Sequence, residues 1–221
     1  MLVSHKYKFI YFKPTKVAGT SVEIFFERFC LPPNGYKAKH KRKGSVSPFG
    51  IVGYRKKGAA NHLWFNHKRP LEIKQGLDDD KIWNEYFKFG VIRNPWDRLV
   101  SLWATELLAS GHNVSAHFQA KGFKHYCLNA EKNTLYKYYQ LPHSNINYFI
   151  RFEELADGID FVCKKLNLPS EDIKLGHYKR YTPSGKIKHK HYTQYYNDET
   201  RQIVAEKYAK DIEYFGYEFG E

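Results

Sequence analysis

Two short stretches carry residue types that could grip anions. The first is Lys13-Pro14-Thr15-Lys16-Val17-Ala18-Gly19-Thr20-Ser21, which lies between the apolar run Lys8–Phe12 and the helically spaced Val22–Phe29. Gly19 permits close backbone approach to an anion, and Thr20 and Ser21 add hydroxyl donors. The first N–H groups of the following helix point outward and, with its dipole, complete an anion site. Lys16 adds a point charge. The loop is P-loop-like without being the loop of nucleoside triphosphatases. That motif reads G-x-x-x-x-G-K-S/T, whereas Lys16 here precedes Gly19 by three, and no downstream acidic pair suits Mg²⁺. The plainer reading is an ordinary strand-to-helix turn with Thr20 or Ser21 as N-cap.

The second stretch is Arg93-Asn94-Pro95-Trp96-Asp97-Arg98-Leu99-Val100-Ser101. Arg93 ends an apolar strand, an awkward place for a charge without a partner. Ser101 lies two turns into the next helix. Together they could hold a second phosphate. Asp97 suits the positive end of that helix, and Arg98 reads as a salt bridge or surface charge.

The elements that position these stretches follow from apolar patterning. Lys8–Phe12, Phe87–Ile92 and Asn147–Phe152 read as buried strands. Each precedes a helical segment: Val22–Phe29, Trp96–Leu108 and Glu153–Asn167. One or two short helices fit within 71–86, part of 110–145 reads as helical, and Asp198–Tyr214 reads as a terminal helix. Repeated strand–helix units predict one α/β domain over residues 1–221, a central parallel sheet flanked by helices. Residues 31–60, broken by Pro32-Pro33-Asn34-Gly35 and rich in Lys and Arg, read as a flexible basic insertion with little core of its own. Residues 170–190 read as a basic loop.

The chain has 221 residues, 42% hydrophobic, 17% aromatic and 27% charged, with a mean hydropathy of -0.65. Collagen-like, disordered and coiled-coil classes do not fit. No run nears the ~18 apolar residues of a membrane span, and the first residues do not resemble a secretory signal. Cys30, Cys127 and Cys163 are scattered and odd in number, which fits a reducing, cytoplasmic setting. The net charge of +13 favours polyanionic partners. A nucleic-acid-binding module is one alternative. Against it, the basic residues are spread over loops and no such motif appears, so no nucleic-acid partner is expected. A nucleotide or sugar kinase is another, opposed by the missing Walker pattern. Asn113-Val114-Ser115 matches a glycosylation sequon by pattern only.

Lys16 to Val22 resembles the 5′-phosphosulfate loop of sulfotransferases that use 3′-phosphoadenosine-5′-phosphosulfate (PAPS). Phe87 to Trp103 resembles their 3′-phosphate-binding strand and helix. Phe149 to Leu155 and the end from His191-Tyr192 to Phe219 are similar to bacterial members of the carbohydrate sulfotransferase superfamily, related to the heparan 2-O- and chondroitin enzymes. Departures are Thr15 between Pro14 and Lys16, and Val17 where a hydroxyl residue is common. The resemblance implies direct in-line sulfuryl transfer to an acceptor hydroxyl without a metal, with 3′-phosphoadenosine-5′-phosphate (PAP) as product. It implies donor contacts from Lys16, Val17, Ala18, Gly19, Thr20, Ser21, Arg93 and Ser101. Lys16 would neutralise charge on the leaving phosphate. His67, in His67-Lys68-Arg69-Pro70-Leu71-Glu72-Ile73, aligns with a histidine of these enzymes and would act as the base; His62 is its rival. Glu72 reads as a helix-surface charge. The acceptor implied is a carbohydrate, acidic ones included. Tyr192, Tyr195 and Tyr196, with Lys186, Lys188 and Lys190, could close over the nucleotide, grip an acidic acceptor, or simply form a solvated loop. Tyr192 is taken as a nucleotide contact.

Overall fold

A computed structural model of the chain describes residues 1–56, 58–109, 122–131, 133–169 and 190–221. The described residues divide into two compact units. One falls within Met1–Ile92 and Tyr138–Lys179, the other within Arg93–Lys137 and Arg180–Glu221. The sequon, Lys57, Lys186, Lys188 and all but the last residue of the 170–190 loop lie outside the described residues.

The first unit holds a six-stranded mixed sheet in the order β3-β4-β1-β2-β5-β6. The strands are β1 (Leu2–Ser4), β2 (Phe9–Phe12), β3 (Ser45–Ser47), β4 (Gly50–Val52), β5 (Phe87–Ile92) and β6 (Tyr148–Arg151). The three strands read from apolar patterning, β2, β5 and β6, pair in parallel, with Phe9 beside Phe87 and Phe89 beside Tyr148. Beside this expected parallel centre, β1, β4 and β3 add antiparallel strands on one side and make the sheet mixed. β2 is buried throughout, as a strand covered on both faces must be. Its Phe9 packs against Phe26 and Phe89, with ring centroids 5.8 and 5.7 Å away.

Residues 31–60 therefore do not stand apart as an insertion. Residues 32–44 are mostly exposed, but β3 and β4 join the sheet, Ile51 and Val52 are core residues, and Arg55 is buried. Helix α1 (Gly19–Glu27) follows β2, and α2 (Pro70–Gly76) and α3 (Asp80–Glu85) precede β5. Glu72 accepts from the Arg69 amide at 2.7 Å, so it holds the start of α2 rather than standing as an idle surface charge.

The second unit is helical. α4 (Pro95–Ala109) leaves β5 through Arg93-Asn94, α5 (Gly122–Asn129) follows, and α6 (Leu135–Tyr139) spans the sequence boundary between units. α7 (Leu155–Lys165) returns to the first unit. The expected terminal helix is two helices, α8 (Asp198–Lys207) and α9 (Ala209–Phe215), broken at Tyr208. The core of the second unit gathers Trp96, Leu99, Trp103, Phe123, Tyr192 and Tyr208. Asp211 lies buried here, accepting from the Leu135 and Tyr136 amides at 2.7 and 2.8 Å.

Candidate active site

The loop between β2 and α1 is shaped by its backbone. Lys16 (φ 66) and Ala18 (φ 56) both adopt the left-handed conformation, which is costly for residues with a Cβ. Ala18 is the N-cap of α1, with no side-chain cap bond. This corrects the expected Thr20 or Ser21 cap. The helix begins at Gly19, so both hydroxyl residues lie within its first turn. The Ser21 and Val22 amides turn back to the Ala18 carbonyl at 3.0 and 3.4 Å. The first-turn N–H groups of a helix that are not so engaged are the ones able to face an anion. Val17 is fully buried, so only its backbone can serve a ligand. Lys16 and Ser21 are half-exposed, and Thr20 is buried.

His67 is tied to the residue that opens this loop. Its Nδ1 lies 2.8 Å from the Lys13 carbonyl oxygen. A carbonyl can only accept, so Nδ1 carries the proton and Nε2 keeps its lone pair. Burial, reinforced by the Lys13 ammonium, lowers the His67 pKa to about 4. The imidazole is therefore neutral at physiological pH and able to accept a proton. His62 is exposed and stacks on Tyr54 with centroids 3.8 Å apart.

In the second unit, Arg93 is half-buried and its Nε donates to Asp97 Oδ2 at 2.7 Å. Asn94 caps α4: its Oδ1 accepts from the Trp96 amide at 3.1 Å, while its Nδ2 donates to the Glu218 carbonyl at 2.8 Å. Ser101 is half-exposed on α4. Arg98 corrects the expectation of a surface charge. It is 1% exposed and donates through Nη1 to the Asn133 carbonyl at 2.5 Å. Tyr192, taken above as a nucleotide contact, is a core residue 5% exposed, its hydroxyl accepting from the Gly220 amide at 2.7 Å. Tyr196 is engaged too, donating to the Trp96 carbonyl at 2.9 Å.

The profile of the sulfotransferase family matches residues 1–218, a span that contains the loop, His67 and the Arg93–Ser101 stretch. The chain belongs to the sulfotransferase family. Neither the curated proteins nor the solved structures searched contain a match. Among the described residues, no helix of this sulfotransferase is long and apolar enough to cross a membrane.

The sulfotransferase also contains a buried ionic cluster behind its loop, which the sequence reading missed. Glu23, fully buried on α1, accepts from Lys13 Nζ and Arg55 Nη1, both at 2.6 Å, and from the Met1 amine at 3.0 Å. Glu27 pairs with Arg42 Nε at 2.7 Å and Arg55 Nη1 at 3.1 Å. Burial pushes the Glu23 carboxyl up, but Lys13, the Met1 amine, Arg55 and Arg42 together hold it well below the usual carboxylate range. The only local clue was a pair of glutamates four apart in an otherwise apolar helix.

Proposed function

We propose that this sulfotransferase takes its sulfuryl group from PAPS and passes it to a hydroxyl of a carbohydrate acceptor, with His67 as the general base. The observation that carries this reading is the 2.8 Å bond from His67 Nδ1 to the carbonyl of Lys13. It puts a neutral imidazole, with Nε2 as acceptor, beside the loop that the family resemblance assigns to the phosphosulfate. PAPS supplies an activated sulfuryl group on its 5′-phosphate. His67 Nε2 takes the acceptor hydroxyl's proton as the new S–O bond forms, and the bond from sulfur to the 5′-phosphate oxygen breaks, leaving PAP. The amides of the loop and of the start of α1 suit the phosphosulfate, and Lys16 opposes the charge that grows on the leaving oxygen. The resemblance gives Arg93 and Ser101 the 3′-phosphate, with Asp97 holding Arg93 in orientation. Three buried free cysteines support a reducing, cytoplasmic setting.

The test is a pair of variants assayed with labelled PAPS and a panel of neutral and uronate-containing glycans. His67→Ala lowers turnover by roughly 10²–10⁴-fold with nucleotide affinity nearly unchanged. Lys16→Ala lowers kcat by about 10²-fold or more and weakens nucleotide binding less, because its charge matters most as the leaving group departs. Full turnover in His67→Ala would remove it as the base.

A further inference from the structure

We infer that Lys13 is the positioning residue for His67, gripping the imidazole through its carbonyl while its own ammonium is locked between Glu23 of α1 and Asn66. This inference rests on the reading of His67 as the base. Lys13 is the residue after β2 and is 2% exposed, unusual for a lysine and tolerable only because its charge is paired. Its Nζ is 2.6 Å from Glu23 Oε2. With the Asn66 amide oriented to satisfy its neighbours, the Asn66 side-chain oxygen accepts from the same Nζ at 3.0 Å and its nitrogen donates to the Tyr54 carbonyl at 3.1 Å. The Asn66 carbonyl accepts from the Met1 amine at 2.7 Å. Lys13 thus meets two consecutive residues of one segment, Asn66 by its side chain and His67 by its backbone.

The consequence is mechanical and electrostatic. Glu23 lies two residues beyond Ser21 on α1, the helix that follows the loop assigned above to the phosphosulfate. The chain of contacts from Glu23 to Lys13 to His67 therefore fixes the base relative to the phosphate loop. The carbonyl contact also selects the Nδ1–H tautomer, which leaves Nε2 as the ring nitrogen able to take a proton. The charged groups that act on the imidazole are the Lys13 ammonium, the Met1 amine and Glu23. Of these, Lys13 exerts the strongest charge effect, and it opposes protonation.

The experiment is ¹⁵N NMR of the imidazoles in the full chain, with the His67 signals assigned by their loss in His67→Ala. In the unaltered protein His67 is expected as the Nδ1–H tautomer, unprotonated from pH 7 down to about 5. In Lys13→Met its titration midpoint rises by about 1 pH unit, the scale of one neighbouring charge removed. Turnover in Lys13→Met falls by roughly 10–10²-fold while PAP affinity is kept, as expected for a misplaced base. Glu23 still has Arg55 Nη1 at 2.6 Å in this variant, so its charge is not stranded. An unshifted midpoint in a folded Lys13→Met protein overturns the inference. If that variant does not fold, the unaltered protein decides: an Nε2–H tautomer, or titration near 6.5, overturns it equally. Full turnover in His67→Ala would instead defeat the base assignment and leave the NMR coupling of Lys13 to His67 intact.

Discussion

Gly19 shows how little space the loop leaves. A Cβ there would come within 2.7 Å of Lys13 Cγ and 3.4 Å of the Tyr11 hydroxyl, which itself donates to the Gly19 carbonyl at 3.2 Å. The Lys13 stem cannot swing away, because Glu23 holds its far end. Gly19→Ala is therefore expected to cost about 1–3 kcal/mol of stability, the scale of overpacking, and to lower turnover by displacing the Lys13 carbonyl from His67. A thermal melt and an assay check this; an unshifted Tm would show that the loop can yield. Arg93→Ala should weaken PAP binding by about 2 kcal/mol or more and blunt discrimination against adenosine phosphates lacking the 3′-phosphate. Lys16, Gly19 and Arg93 stood out in the sequence because a glycine in a short loop and charges at strand ends invite an anion; their contacts with the donor belong to the proposed function. His67 was not legible from its type among eleven histidines and came only through the family resemblance. Lys13 and Glu23 were hidden because their partners, Arg55 and Asn66, lie tens of residues away, and no local pattern encodes such a meeting.

At the scale of elements, β2, β5 and β6 and the helices after them were legible because continuous apolar runs mark strands covered on both faces. β1, β3 and β4 have three residues each, too few for any periodicity to show. Their register comes from pairing, with Val3 beside Ile10 on one side and Ile51 on the other. Limited proteolysis is accordingly expected to cut first within the exposed residues 32–44 and to spare β4. The start of α4 also holds a local device. Asn94 caps the helix and binds the Glu218 carbonyl, with Pro95 at the first helical position. Asn94→Ala should cost about 1 kcal/mol in a thermal melt. No change in Tm would mean that Pro95 and packing alone set the start of α4.

For the whole molecule, buried ionisable groups set the response to acid. The folded pKa of His67 is about 4 against an ordinary 6.5, so the unfolded chain binds that proton first. Stability from this source is present above pH 6.5 and is lost as pH falls toward 4. Glu23 is held well below its ordinary 4.5, so its contribution is present above that value and is lost on further acidification. Both act in the same direction, and the urea midpoint should fall below pH 6.5; a flat midpoint from pH 7 to 4 would contradict the burial of His67. The net charge of +13 suits the multiply charged nucleotide of the proposed reaction, and binding should weaken as salt rises. The central claim of the proposed function is that this chain binds a 3′-phosphorylated adenine nucleotide. Isothermal titration with PAP, ATP and a single-stranded oligonucleotide tests it most directly. The account predicts saturable one-site binding of PAP, at least tenfold tighter than ATP and retained without magnesium. Binding of ATP or the oligonucleotide as tightly as PAP would contradict it.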